Sequence, residues 1–197
     1  MEARLATPDD ESALYNVALV TGDGGADGTH LFDDPRLLGE IFVGPYIHLE
    51  PRFAYAVEVD GVAGYVLGCL DTTALEARCD TDWWPVLQAR YPLEVQRRES
   101  DQDLVRYIHA PEHRPVELVE EYPSHLHIDL IPRAQGQGYG PKLLSMLIDR
   151  LAAAGSTGVH LGVAAGNLRA QKVYRSLGFH DWRGNQSELI MAMRLGG

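Results

Sequence analysis

The stretch Ile131 to Leu144, I-P-R-A-Q-G-Q-G-Y-G-P-K-L-L, constrains this chain most. Glycines fall at 136, 138 and 140, after an apolar strand-like run and before an amphipathic helical pattern. Without side chains in the way, consecutive backbone N–H groups can turn toward one point. They stand at a helix N-terminus, where unpaired N–H groups and the positive end of the dipole favour an anion. Pro141 suits the first turn of that helix. The pattern predicts a strand, a phosphate-binding loop and a helix.

Two common phosphate motifs do not fit. A Walker loop ends in Gly-Lys-Ser/Thr, whereas Gly140 is followed by Pro141-Lys142-Leu143. A dinucleotide fingerprint needs G-x-G-x-x-G, and this loop is G-x-G-x-G with no acid at the expected distance.

The rest of the chain supplies an α/β context. Ala3 to Ala6 suits a short strand, and Thr7-Pro8-Asp9-Asp10-Glu11 announces a helix through a capping threonine, a proline and acids in the first turn. Thr21 to Gly28 is glycine-rich and reads as a mobile loop; Asp23 and Asp27 lack the spacing of a calcium loop. A helix is expected from Pro35 to about Phe42. Phe53 to Val59 and Val62 to Leu70, joined by Asp60-Gly61, predict a β-hairpin. Residues 71 to about 115 form a polar connection with helices near Trp83–Gln88 and Asp101–Ile108.

A strand is expected over His125 to Ile131, and a helix from Pro141 to about Ala154 with Leu143, Leu144, Leu147, Ile148 and Leu151 on one face. Val159, Leu161 and Val163 alternate as in a strand. Asn167 caps a helix ended by Gly178, and a last strand lies near Glu188 to Met193. With 197 residues the chain suits one mixed α/β domain.

Composition removes several functions. The net charge of -11 argues against nucleic acid and is compatible with a cationic acceptor. No apolar run approaches the ~20 residues that span a bilayer. The N-terminus lacks the layout of a secretory signal, and Cys69 and Cys79 have no metal-binding spacing, which suits a reduced cytoplasmic protein.

Two signatures then narrow the phosphate ligand. Gln135-x-x-Gly138-x-Gly140 resembles motif A of the Gcn5-related N-acetyltransferases (GNAT), Gln/Arg-x-x-Gly-x-Gly/Ala; Arg133-x-x-Gly136-x-Gly138 fits in a second register. Asn167-x-x-Ala170-x-x-Val173-Tyr174-x-x-Leu177-Gly178-Phe179 resembles a helix signature of the same superfamily. A narrower resemblance, carried by Gly64 to Asp71, Trp84-Pro85 with Gln88 and Tyr91, and Tyr122-Pro123-Ser124, is to the acetyltransferase-like C-terminal domain of O-GlcNAcases. It covers roughly residues 50 to 195, and the chain looks like a stand-alone bacterial relative. Animal versions of that domain have a degraded glycine loop; here it is intact.

The resemblance implies a mixed, mostly antiparallel twisted sheet of about 6–7 strands flanked by helices, with a helical insertion at about 71–115. Acetyl-CoA would lie in the splay between two central parallel strands. Its pantetheine would run along Leu130 and Ile131, and its pyrophosphate along the amides of Gln135, Gly136, Gln137, Gly138, Tyr139 and Gly140, with Asn167 a further contact. Tyr174 matches the superfamily tyrosine that protonates the leaving sulfur. Its alternative is a core aromatic.

His125, His127 and Asp129 alternate along one strand and so share a face. The O-GlcNAcase-like domains carry an aspartate at the place of Asp129, which makes it the candidate general base or the anchor for the acceptor ammonium. Two alternatives stand beside it: a structural aspartate, and a His-x-His-x-Asp metal site. The superfamily uses no metal. Trp83, Trp84 and Tyr91 are either an acceptor wall or packing anchors.

The expected activity is transfer of acetyl from acetyl-CoA to a primary amine in a ternary complex, the acceptor being a small molecule or a peptide. The alternative is a non-catalytic acetyl-CoA-binding pseudo-acetyltransferase. Neither nucleic acid nor membrane is expected as a partner, and the chain would be a monomer or homodimer.

Overall fold

A computed structural model describes residues 2–196. Seven strands form one sheet in the order β1-β2-β3-β4-β5-β7-β6. β1 (Glu2–Leu5) runs antiparallel to β2 (Ala54–Glu58), and β2 to β3 (Val62–Cys69). β3 pairs antiparallel with β4 (Ser124–Leu130), and β4 meets β5 (Gly158–Ala164) in parallel. β6 (His180–Gly184) and β7 (Glu188–Arg194) close the far edge, with β7 antiparallel to β5.

The Asp60-Gly61 turn has φ of 50° and 89°, the two positive values of a type I′ hairpin. Thr7 caps a 3-10 turn that leads into α1 (Glu11–Val20). α2 (Leu37–Phe42) and α3 (Gly44–Leu49) follow, then α4 (Thr72–Arg78), a π-helical turn at Cys79–Trp83, α5 (Trp84–Arg90) and α6 (Glu99–His109). These pack on the sheet face that carries Tyr65, Leu67 and Cys69. After α7 (Val116–Glu121), α8 (Tyr139–Ala153) and α9 (Leu168–Ser176) cover the opposite face. There Leu143, Leu144, Leu147 and Leu151 of α8 are each at most 1% exposed, which gives roughly 2 kcal/mol per side chain removed from water.

The structure adds elements that periodicity did not signal: α3, α4, α7 and the edge strand β6. Each helix among these is only six or seven residues long, too short for a pattern, and β6 is mostly exposed. α8 begins at Tyr139 rather than Pro141. Proline is tolerated there because N–H groups in the first turn have no helical partner. Within the Thr21–Gly28 loop Gly25 N–H donates to Thr21 O, Gly28 N–H to Leu19 O, and Asp23 bridges Ala26. Among the described residues no helix is long and apolar enough to cross a membrane.

Candidate functional site

β4 and β5 hold each other only at their N-terminal ends, where Ser124 faces Val159 and His125 faces His160. Beyond that pair the strands part. Beside that gap a cleft of about 400 Å³ lies between β4, the glycine loop, α8 and α9. Gly136 and Gly138 both sit at φ 75°, where an L side chain is strained. A Cβ added at either would meet nothing within 4 Å, so the loop leaves open space over its backbone. The N–H groups of Gly136, Gln137 and Gly138 take no protein acceptor among the described residues. This cradle, at the start of the 15-residue helix α8, fits a phosphate-bearing ligand.

Most of the residues read from the sequence as cofactor contacts line this cleft: Leu130, Gln135, Gly136, Gly138, Tyr139, Gly140 and Asn167. Several are also tied to the protein. Gln135 donates from its side chain to the Leu130 carbonyl at 2.7 Å, and so occupies a backbone acceptor at the end of β4. Asn167 caps α9 by accepting from Ala170 N–H and donates to Gly24 O, which fastens the Thr21–Gly28 loop over the cleft. Ile131 and Gln137 lie off the cleft wall. The Ile131 amide donates to Ala63 O, and the Gln137 side chain donates to Arg133 O on the exposed side of the loop.

Asp129 and Tyr174 both line the cleft. Asp129 accepts from the Tyr65 hydroxyl at 2.5 Å. Burial pushes its carboxyl up to about 6, against the opposing pull of that hydrogen bond. Tyr174 is 8% exposed and packs on Phe179 with ring centroids 5.9 Å apart. Burial first, and then the charge of Asp129, hold its phenol above the usual range, so it keeps its proton at neutral pH.

Asp129 and Tyr174 also line a second space that continues through the splay toward α2. This space, of about 430 Å³, shares Arg114, His127 and Glu188 with an adjoining cavity of about the same volume. His125, His127 and Asp129 do share one face of β4, as the alternation predicts, but their environments differ. Both nitrogens of His125 are engaged, Nε2 with the Tyr46 hydroxyl at 2.5 Å and Nδ1 with Thr72 Oγ1 at 2.8 Å. Burial lowers His125 well below its ordinary range and lowers His127 and His160 to about 4, so all three rings are neutral at pH 7. Among the described residues no three His, Cys, Asp or Glu side chains converge as a metal group.

The aromatic residues of the insertion divide. Trp84 lines the outer cavity, whereas Trp83 donates from Nε1 to Glu40 O at 2.8 Å and Tyr91 is buried in the core. Cys79 also reaches the outer cavity, but burial pushes its thiol up to about 12.

Tyr46, Tyr65, Arg114, His160 and Glu188 were not singled out by sequence reasoning. Arg114 and Glu188 form a two-pronged ion pair, with N···O distances of 3.2 and 3.1 Å, across 74 residues of sequence. No local pattern announces such a pair. Tyr65 lies within the Gly64–Asp71 segment, yet only strand register sets it opposite Asp129.

Known proteins share this architecture. The crystal structure of SsHAT superposes with a TM-score of 0.91 at 33% identity, covering 100% of this chain and 98% of that one. Protein O-GlcNAcase of Rattus norvegicus is 25% identical over 175 residues, 87% of this chain; the match spans only 19% of that relative's length. The structure of yncA from Salmonella typhimurium with its cofactor acetyl-CoA has the same fold, with a TM-score of 0.55 at 19% identity over 100% of this chain and 95% of that one. The profile of the acetyltransferase (GNAT) family matches residues 69–179, which takes in the strand splay, the glycine loop and the Tyr174 helix. With more than half its length inside that match, and the cleft where the two strands part, the chain belongs to the acetyltransferase (GNAT) family.

Proposed function

We propose that the chain transfers the acetyl group of acetyl-CoA to a primary amine by direct attack in a ternary complex. One observation carries this reading: Asp129 and Tyr174 border both the glycine-loop cleft and the cavity beyond it, so donor and acceptor can meet between them. The acetyl-CoA named in the yncA structure supports the choice of donor.

Bound in the cleft, acetyl-CoA supplies a thioester whose carbonyl carbon accepts the amine and whose sulfur leaves with the electron pair of the broken bond. The loop amides from Gly136 onward hold the phosphates, and the start of α8 adds its positive end. Asp129 takes a proton from the amine nitrogen; a carboxyl raised to about 6 is a better base than an ordinary one and is still ionised at pH 7. Tyr174 gives its phenolic proton to the departing sulfur. Neither cysteine serves as an acetyl carrier in this scheme, since burial raises both thiols and neither borders the glycine-loop cleft.

Tyr174→Phe tests the reading. Titration calorimetry with acetyl-CoA should show affinity within about twofold of wild type, while thiol release across a broad amine panel falls on the order of 10²-fold. Wild-type protein that binds acetyl-CoA but acetylates no amine would instead be a binding module.

A further inference from the structure

The cavities beyond Asp129 carry unmatched hydrogen-bond acceptors and a surplus of negative charge. Arg114 spends Nη1 and Nη2 on Glu188. Glu76, on the wall of the outer cavity, accepts through Oε1 only from the Arg114 backbone N–H, at 2.9 Å. That donor carries no charge, and burial holds the Glu76 carboxyl above its ordinary range. The guanidinium is thus spent on Glu188, and Glu76 is left without a charged hydrogen-bond partner.

His160 adds an independent sign. Its Nδ1 lies 2.8 Å from the Tyr122 carbonyl, which can only accept, so Nδ1 carries the proton and Nε2 presents a lone pair. The residue is 1% exposed and borders the outer cavity, and Nε2 has no partner. A buried acceptor left unmatched costs about 1–3 kcal/mol, so the wall of the outer cavity holds an unspent acceptor. Tyr46, Trp84 and Tyr107 supply aromatic wall, which favours a cation at its face. Gly162 permits the arrangement: a Cβ there would fall 2.0 Å from Glu188 Oε1, so its absence lets the carboxylate lie across β5.

Resting on the acetyl-transfer reading, we infer that the acceptor is a linear diamine, with one nitrogen acetylated beside Asp129 and a second, protonated nitrogen held by Glu76 and Glu188. An ammonium brings three donors and a charge to a wall where Glu76 has only one uncharged partner. A carboxylate-bearing amine brings none to that end and would stand against two anions. Asp129 lines the inner cavity and Glu76 the outer one, so an alkyl spacer must join the two nitrogens.

Calorimetry on the wild-type chain with CoA present tests this, using 1,4-diaminobutane and 1,5-diaminopentane against n-butylamine and 4-aminobutanoate. Both diamines should bind at least about 10-fold more tightly than either control, and Glu76→Gln should weaken them about 10-fold. The Gln carbonyl can still accept from Arg114 N–H, so folding, checked by the thermal midpoint, should survive; Glu188→Gln serves as the second variant. Diamine affinity no better than that of butylamine, or unchanged in both variants, overturns the inference. The two proposals fail separately. Glu76-dependent diamine binding without acetyl transfer removes the transfer reading and leaves the site. Acetylation of monoamines or peptides with no preference for diamines does the reverse.

Discussion

The Tyr65 hydroxyl donates to Asp129 Oδ2 at 2.5 Å from the position directly opposite it in the β3–β4 ladder. The bond favours the charged carboxylate, while burial favours the neutral acid, and burial wins. Tyr65→Phe removes only the opposing pull, so the Asp129 carboxyl should rise further above about 6. The acid limb of the kcat/KM profile should then move alkaline by about one pH unit. A profile measured with a fixed amine acceptor checks this, and an unmoved limb would mean that Asp129 is not the group titrating.

The same carboxyl predicts a trade between function and stability. Its folded value of about 6 lies above its ordinary 3.8, so its contribution to stability is fully present below pH 3.8 and lost as pH rises through 6. Asp129→Asn removes the charge while keeping an oxygen that accepts from Tyr65. The variant should be more stable than wild type at pH 7.5 by on the order of 1–3 kcal/mol, nearly equal to it at pH 4, and inactive. Thermal unfolding at the two pH values reads the difference directly.

The glycine loop separates strain from ligand contact. Gly138→Ala puts a side chain at φ 75° and should cost about 1 kcal/mol of stability as well as acetyl-CoA affinity. Gly140 carries no positive φ, and a Cβ there meets only Leu130 Cδ1 at 4.0 Å. Gly140→Ala should therefore leave the thermal midpoint within about 2 °C of wild type. If the loop seats the pyrophosphate, that variant should still bind acetyl-CoA at least about 10-fold more weakly, since the new methyl takes space meant for the ligand. Full affinity in Gly140→Ala would place the phosphates elsewhere.

What could be seen beforehand follows the range of the interactions. The glycine loop, the Asn167 cap and the leucine face of α8 are written within fifteen residues or fewer, because each is a local backbone or helical requirement. The shared face of His125, His127 and Asp129 needed only the two-residue period of a strand. Their differing chemistry was hidden. Tyr46 reaches His125 from 79 residues away, Tyr65 reaches Asp129 from 64, and Glu188 reaches Arg114 from 74. Such pairings depend on sheet register and on where the insertion packs, which no local pattern records. The tie between Asn167 and Gly24, 143 residues apart, likewise makes the Thr21–Gly28 loop part of the cleft.

The neutral histidines set how the protein meets acid. His127 and His160 fall to about 4 in the folded chain from an ordinary 6.5, because burial penalises the imidazolium. The unfolded chain binds more protons between those values, so their contribution to stability is intact above pH 6.5 and drains away as pH falls toward 4. Each site lost completely corresponds to about 3 kcal/mol, against which the rising contribution of Asp129 runs in the opposite direction. Wild-type stability, from denaturant titrations at pH 7 and pH 4.5, should fall by several kcal/mol across that interval. His127→Gln removes one titrating group from a position that borders a cavity and can take the amide, so the fall should shrink by about 1–3 kcal/mol. An identical fall in that variant would mean that His127 is as protonated in the folded chain as in the unfolded one, and that the cavity beside Asp129 is wetter than its packing implies.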